Sequence, residues 1–147
     1  MTDTTTAREM LAVVERMLVE GFAGGRLDVA DELCSPDLIE HQFGLTGRGA
    51  EAIAKIRNGM QTVHDAFPDL HFTIGDWAVA GDIIWVRAEA TGTNTGPFIG
   101  PPTGRPVQFT VCDSARVVDG RIVEHWGVPD RFEIMVRLGR IPEPQAA

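Results

Sequence analysis

The side chains in this chain best suited to moving a proton are His41, in "DLIEHQ", and Asp130, which ends the run "RIVEHWGVPD". A neutral imidazole at position 41 suits the orienting of a substrate carbonyl or a water molecule. Asp130 follows a proline at the expected start of a helix. A carboxylate there caps backbone N–H groups, and the same carboxylate inside an apolar enclosure suits general acid/base chemistry. Around these two stand groups able to shape a binding wall: Trp126 in the same run, Trp77 and Trp85 in strand-like segments, and the amide of Asn94 in "GTNTG". Trp77 and Trp85 suit the core by default and equally suit a flat wall against a ring. Arg87 and Glu89 share one face of "WVRAEA", where an ion pair is the simplest expectation. His64 and His71, at a helix end and a strand start, are expected in solvent, and Arg105 on a loop surface. The chain has no Ser-His-Asp order, no phosphate-cradling glycine loop and no His/Cys cluster at metal spacing. The expectation is therefore chemistry without metal or organic cofactor. Cys34 and Cys112 are isolated and read as small core residues rather than a disulfide framework.

These groups need elements to position them. Met10, Val13, Val14, Met17, Leu18 and Phe22 recur at helical spacing from Thr5 to Ala23, and Gly24-Gly25 supplies the stop. A shorter helix is expected from Leu27 to Cys34, followed by an extended segment carrying His41. A third runs from Arg48 to Ala66, with Ile53, Ile56, Met60 and Val63 on one face and "FPDL" ending it. Beyond that point the period drops to two. "HFTIGDWAVA", "DIIWVRAEATGTN", "PVQFTVCDSARV" and "RIVEHWGV" read as strands, and Asp119-Gly120 as the tight turn of a hairpin. Strand alternation puts Glu124, Trp126 and Val128 on one face and Val123, His125 and Gly127 on the other. Trp126 is expected to line a pocket with Asp130, and His125 to face outward or into a subunit contact. A closing helix, Asp130 to Leu138, ends at Gly139, and residues 140–147 form a loose tail.

Helices first and long antiparallel strands afterwards predict one α+β domain over 1–147, its helices gathered on one face of a curved sheet that encloses a pocket. With 13 Lys and Arg against 21 Asp and Glu, the formal charge of −8 disfavours nucleic acid and anionic membrane surfaces as partners. No window has the length of a membrane span and no signal-peptide pattern opens the chain, so the expected setting is cytoplasmic. The expected partner is a hydrophobic small molecule. Two-sided strands such as "DIIWVRAEA" predict a homodimer or a larger even-numbered oligomer.

The order and wording of three pieces resemble the SnoaL-like polyketide cyclases of the nuclear transport factor 2-like superfamily: "HDAFPDL" (His64 to Leu70), "GTNTGPFIGPPTGRPV" (Gly92 to Val107) and "DGRIVEHWGVPDRFEIMVRLG" (Asp119 to Gly139). The resemblance implies a cone-shaped α+β barrel and, for such enzymes, cofactor-free intramolecular aldol closure of a polyketide ester. It aligns Asp130 with the aspartate those enzymes use as general acid/base. Asn94 stands where the family pattern commonly has histidine, so no histidine role carries over to it. Limonene-epoxide-hydrolase-like members of the superfamily use an Arg-x-Asp on an equivalent strand, to which Arg87-x-Glu89 together with Asp130 is similar, making epoxide opening the second reading. A non-catalytic small-molecule binding module on the same cone is the third.

Overall fold

The computed structural model describes residues 5–146. Helix α1 (Ala7–Arg16) opens with a capping box: the Thr6 hydroxyl accepts from the Glu9 backbone N–H, and the Glu9 carboxylate accepts from the Thr6 N–H. From Met17 to Ala23 the helix widens to a π-helix instead of continuing as α. It ends where the two glycines predict. Helix α2 (Asp28–Leu33) is followed by strand β1 (Cys34–Glu40), so Cys34 opens a strand and does not close a helix. A two-residue strand β2 (Gly47–Arg48) leads into the long helix α3 (Gly49–Ala66). Then follow β3 (His71–Ala80), β4 (Ile83–Thr93), β5 (Pro106–Val118), β6 (Arg121–Pro129) and α4 (Arg131–Arg137).

The strands form one open sheet in the order β2-β1-β6-β5-β4-β3. Every neighbouring pair is antiparallel except β1 with β6, which run parallel. The β5–β6 hairpin closes through Asp119 and Gly120 at φ 50° and 75°, the left-handed pair that a two-residue turn requires. Register shifts in β3, between β1 and β6, and between β5 and β6 bend the strands and give the sheet its curl.

Four helices lie against this curved sheet. Met10, Val13 and Val14 of α1 and Ile53, Ile56 and Met60 of α3 are buried with Ile84, Val86, Ala88 and Ala90 of β4. The valine, isoleucine and methionine side chains among them contribute roughly 1.5–3 kcal/mol each when fully buried. Gly21, in the π-helical turn, seats directly on Met60, since a Cβ there would lie 2.5 Å from the Met60 methyl. Among the described residues no helix is long and apolar enough to cross a membrane.

Candidate active site

Between the helices and the inner face of the sheet lies a cavity of about 460 Å³. Its wall is aliphatic and phenylalanine-rich. Val14, Met17, Leu18 and Phe22 come from the first helix and its π-helical end, Ile56 and Val63 from α3, and Phe72, Phe109, Val111 and Ile122 from the sheet. Among the titratable groups of this wall, Glu40, Asp113 and His125 form one cluster.

Each reaches the cavity through strand alternation. On β5 the inward stripe reads Val107, Phe109, Val111, Asp113, Ala115, Val117, every member buried, so Asp113 is a carboxylate on an otherwise apolar face. On β1, Leu38 and Glu40 point inward, and Glu40 is only 1% exposed. On β6, along with Ile122, His125 points inward. Its register partner on β1 is Glu40 and on β5 it is Ala115, while Asp113 stands opposite Gly127 two residues along. The imidazole Nδ1 lies 2.9 and 2.8 Å from the two oxygens of Glu40, and Nε2 lies 3.5 Å from Asp113 Oδ1. Burial alone would lower the imidazole pKa. Hydrogen bonding to Asp113 and Glu40, reinforced by their charge, outweighs it and raises His125 to about 10. The ring is therefore an imidazolium between two carboxylates at neutral pH. Gly127 completes the arrangement, since any Cβ there would collide with Gln42 Oε1 and crowd Asp113 Oδ1.

Cys34 also lines the cavity. Burial first, then the charges of Glu40 and Asp31, push its thiol up to about 12, which removes it as a nucleophile near neutrality.

The residues singled out from sequence fall elsewhere. Asp130 is exposed and caps α4, its carboxylate accepting from the Glu133 N–H at 2.9 Å, and it is not among the residues lining the cavity. His41 follows the last residue of β1, so alternation turns it away from the interior. Its Nε2 is 2.8 Å from Glu124, and its ring stacks on Trp126 at 4.8 Å on the outer face. The expected facing of β6 is thus reversed: His125 lines the cavity and Trp126 lies outside. Asn94 is fully buried as a brace for the 94–105 link. Its amide donates to Gly96 O, and its carbonyl accepts from the backbone and hydroxyl of Thr103. Trp85 is half-exposed on the outer face, and Trp77 packs at the core edge with Arg8 above its ring. Arg87 and Glu89 are exposed outside and do not pair with each other; Arg87 binds Asp76 and Glu89 accepts from Gln108. Cys112 is exposed, not a core residue. His64 is half-buried, its Nδ1 on Ala23 O.

A family model, SnoaL-like polyketide cyclase, matches residues 12–138. The chain belongs to that family. SnoaL-like solved structures share its cone fold. Wild-type IdmH, a candidate polyketide cyclase from Streptomyces antibioticus, is 32% identical and superposes with a TM-score of 0.74 over 88% of this chain and 98% of that one. AclR, a candidate hydroxylase from Streptomyces galilaeus, is 28% identical, with a TM-score of 0.78 over 95% and 87% of the two chains. A SnoaL-like protein from Jannaschia sp. CCS1, 24% identical, matches in fold at a TM-score of 0.79 over 97% and 99%. No protein of curated function matches the sequence. One fold carries names as different as cyclase and hydroxylase, so the chemistry rests with the cavity's own groups.

Proposed function

We propose that the chain is an acid/base enzyme that closes a ring in a hydrophobic, carbonyl-bearing small molecule by an intramolecular aldol-type step, with Asp113, His125 and Glu40 as the working groups. The observation that carries this reading is an imidazolium held between two buried carboxylates in the floor of an apolar cavity. Asp113 removes a proton from a carbon flanked by carbonyls. His125 Nε2–H, which faces Asp113 Oδ1 at 3.5 Å, turns to the developing enolate oxygen as Asp113 takes up the substrate proton. The enolate carbon attacks a second carbonyl in the same molecule, a C–C bond forms, and the new alkoxide takes the proton back from Asp113. Glu40 holds the imidazole in place and keeps it charged. The balance needs no oxidant, no leaving group and no covalent intermediate.

Epoxide opening, read on Arg87, Glu89 and Asp130, finds none of these three among the residues lining the cavity. The discriminating experiment follows hydrogen–deuterium exchange at the acidic carbon of an aryl β-keto ester by NMR. Acceleration by wild-type protein that disappears in Asp113→Asn supports the reading. Binding of the ester without acceleration would leave a non-catalytic binding module.

We infer further that the outer face of the sheet joins two copies of the chain. Trp85 (47% exposed) and Val128 (66% exposed) stand on that face with Cys112 and the Trp126–His41 stack. Apolar surface of this kind is characteristic of interfaces.

A further inference from the structure

We propose that Arg131 sets substrate specificity by holding a carboxylate at the mouth of the cavity, so that the substrate is an amphipathic acid with its carbonyl end inward; this rests on the reading of the cavity as the reaction site. The exposed residues of the cavity wall, Phe43, Gly44, Asn58, Thr62 and Arg131, mark where it opens to solvent. Arg131 is fixed there from one side. Its Nη2 donates to Phe43 O at 2.6 Å, and its guanidinium lies 5.4 Å from the centre of the Phe43 ring. Among the described residues it has no carboxylate partner; Arg8, Arg48, Arg105, Arg121 and Arg140 have none either, but of these six only Arg131 lines the cavity, while Arg16, Arg26, Arg57, Arg87, Arg116 and Arg137 are each paired.

The nearby acids are already engaged. Asp130 caps α4, Glu133 pairs with Arg137, and Glu51 pairs with Lys55, which also lines the wall. Lys55 also donates to Thr46 O, so its ammonium is already committed. Arg131 keeps most of its five N–H donors for a ligand, in the planar fork that matches a carboxylate. The floor favours the same orientation. Glu40 and Asp113 outnumber the single imidazolium of His125, so an anion is repelled from the interior and a neutral carbonyl end is accepted. Phe43, 80% exposed beside the guanidinium, offers a flat apolar face to the ring next to the acid group.

Calorimetry with anthraquinone-2-carboxylate and its methyl ester tests this. The acid should bind wild-type protein about tenfold or more tightly than the ester, as a charge-assisted pair implies. Arg131→Gln should bring the acid to the level of the ester and leave the ester within about twofold. Equal affinity of wild-type protein for both compounds overturns the proposal. So does an equal loss for both in Arg131→Gln, which would assign the residue to packing over Phe43. If neither compound binds, the cavity reading falls and the anchor with it. Arg131-dependent binding of the acid, without wild-type acceleration of exchange in the β-keto ester, keeps the anchor and removes the acid/base reading. Exchange with indifferent acid and ester affinities does the reverse.

Discussion

His125 and Glu40 are register partners across the parallel pairing of β6 and β1, and the imidazole Nδ1 lies within 2.9 Å of both Glu40 oxygens. The strand pairing itself sets the distance between the two side chains, so the charged floor of the cavity is a property of the sheet.

This pairing makes stability depend on pH with a defined sign. His125 is raised from an ordinary 6.5 to about 10, so its stabilising contribution is fully present below about pH 6.5 and is lost as pH rises to about 10. Urea midpoints of wild-type protein should fall between pH 7 and pH 10, and fall less in His125→Asn. An identical fall in both proteins would remove the imidazolium from the account.

Asp113→Asn and Asp130→Asn separate the two candidate proton carriers. The first should lower turnover of any accepted substrate by about two to four powers of ten with little change in binding. The second should leave turnover within a few-fold, and Asp130→Ala should cost about 0.5–2 kcal/mol of stability through the lost cap. Steady-state kinetics beside thermal unfolding decides, and the opposite ranking would return the chemistry to Asp130.

Asn94→Ala should destabilise the fold by about 1–3 kcal/mol, because it leaves Thr103 N–H and Gly96 O without their partners beside a buried backbone. Ligand affinity should be unchanged at temperatures where the variant is folded. A large loss of affinity in a stable variant would show that the 94–105 link reaches the substrate.

Trp85→Arg puts a charge on the outer face, opposite Ser114 of β5, whose partner on the far side is Trp126 of β6. Sedimentation should show an even-numbered assembly for wild-type protein and monomer for the variant. A wild-type mass that stays monomeric across concentration would refute the interface.

Much of this architecture is legible in the residues. The change from period 3.6 to period 2 after Phe67, and the Asp119-Gly120 turn, announce the helices and the antiparallel meander. So does part of the floor: an aspartate inside Val107-Phe109-Val111-Asp113-Ala115-Val117 is visible as a charge on an inward stripe. Position 125 is harder. Strand alternation separates Trp126 from His125 and suggests the indole as the pocket wall beside Asp130, and only the pairing of β6 with β1 and β5 shows that the indole covers the outer face while the histidine sits between two carboxylates. His41 misleads for a related reason. It is the chemically versatile neighbour of Glu40, but the strand ends between them and the glutamate has the inward place. The π-helical turn has no local signature in "MLVEGFA", since helical periodicity reads the same until Gly21 meets Met60.

The cavity also has a thermodynamic meaning. Side chains from helices at both ends of the chain and from the sheet between them surround a space of about 460 Å³ that a fully packed interior would fill, and their facing atoms forgo the dispersion contacts a dense core supplies. A molecule that fills the space restores those contacts only in the native state. Occupancy and folding are therefore linked: the melting temperature should climb with the logarithm of ligand concentration above Kd, so a thermal-shift screen of hydrophobic acids and esters can find the cognate compound before any reaction is known.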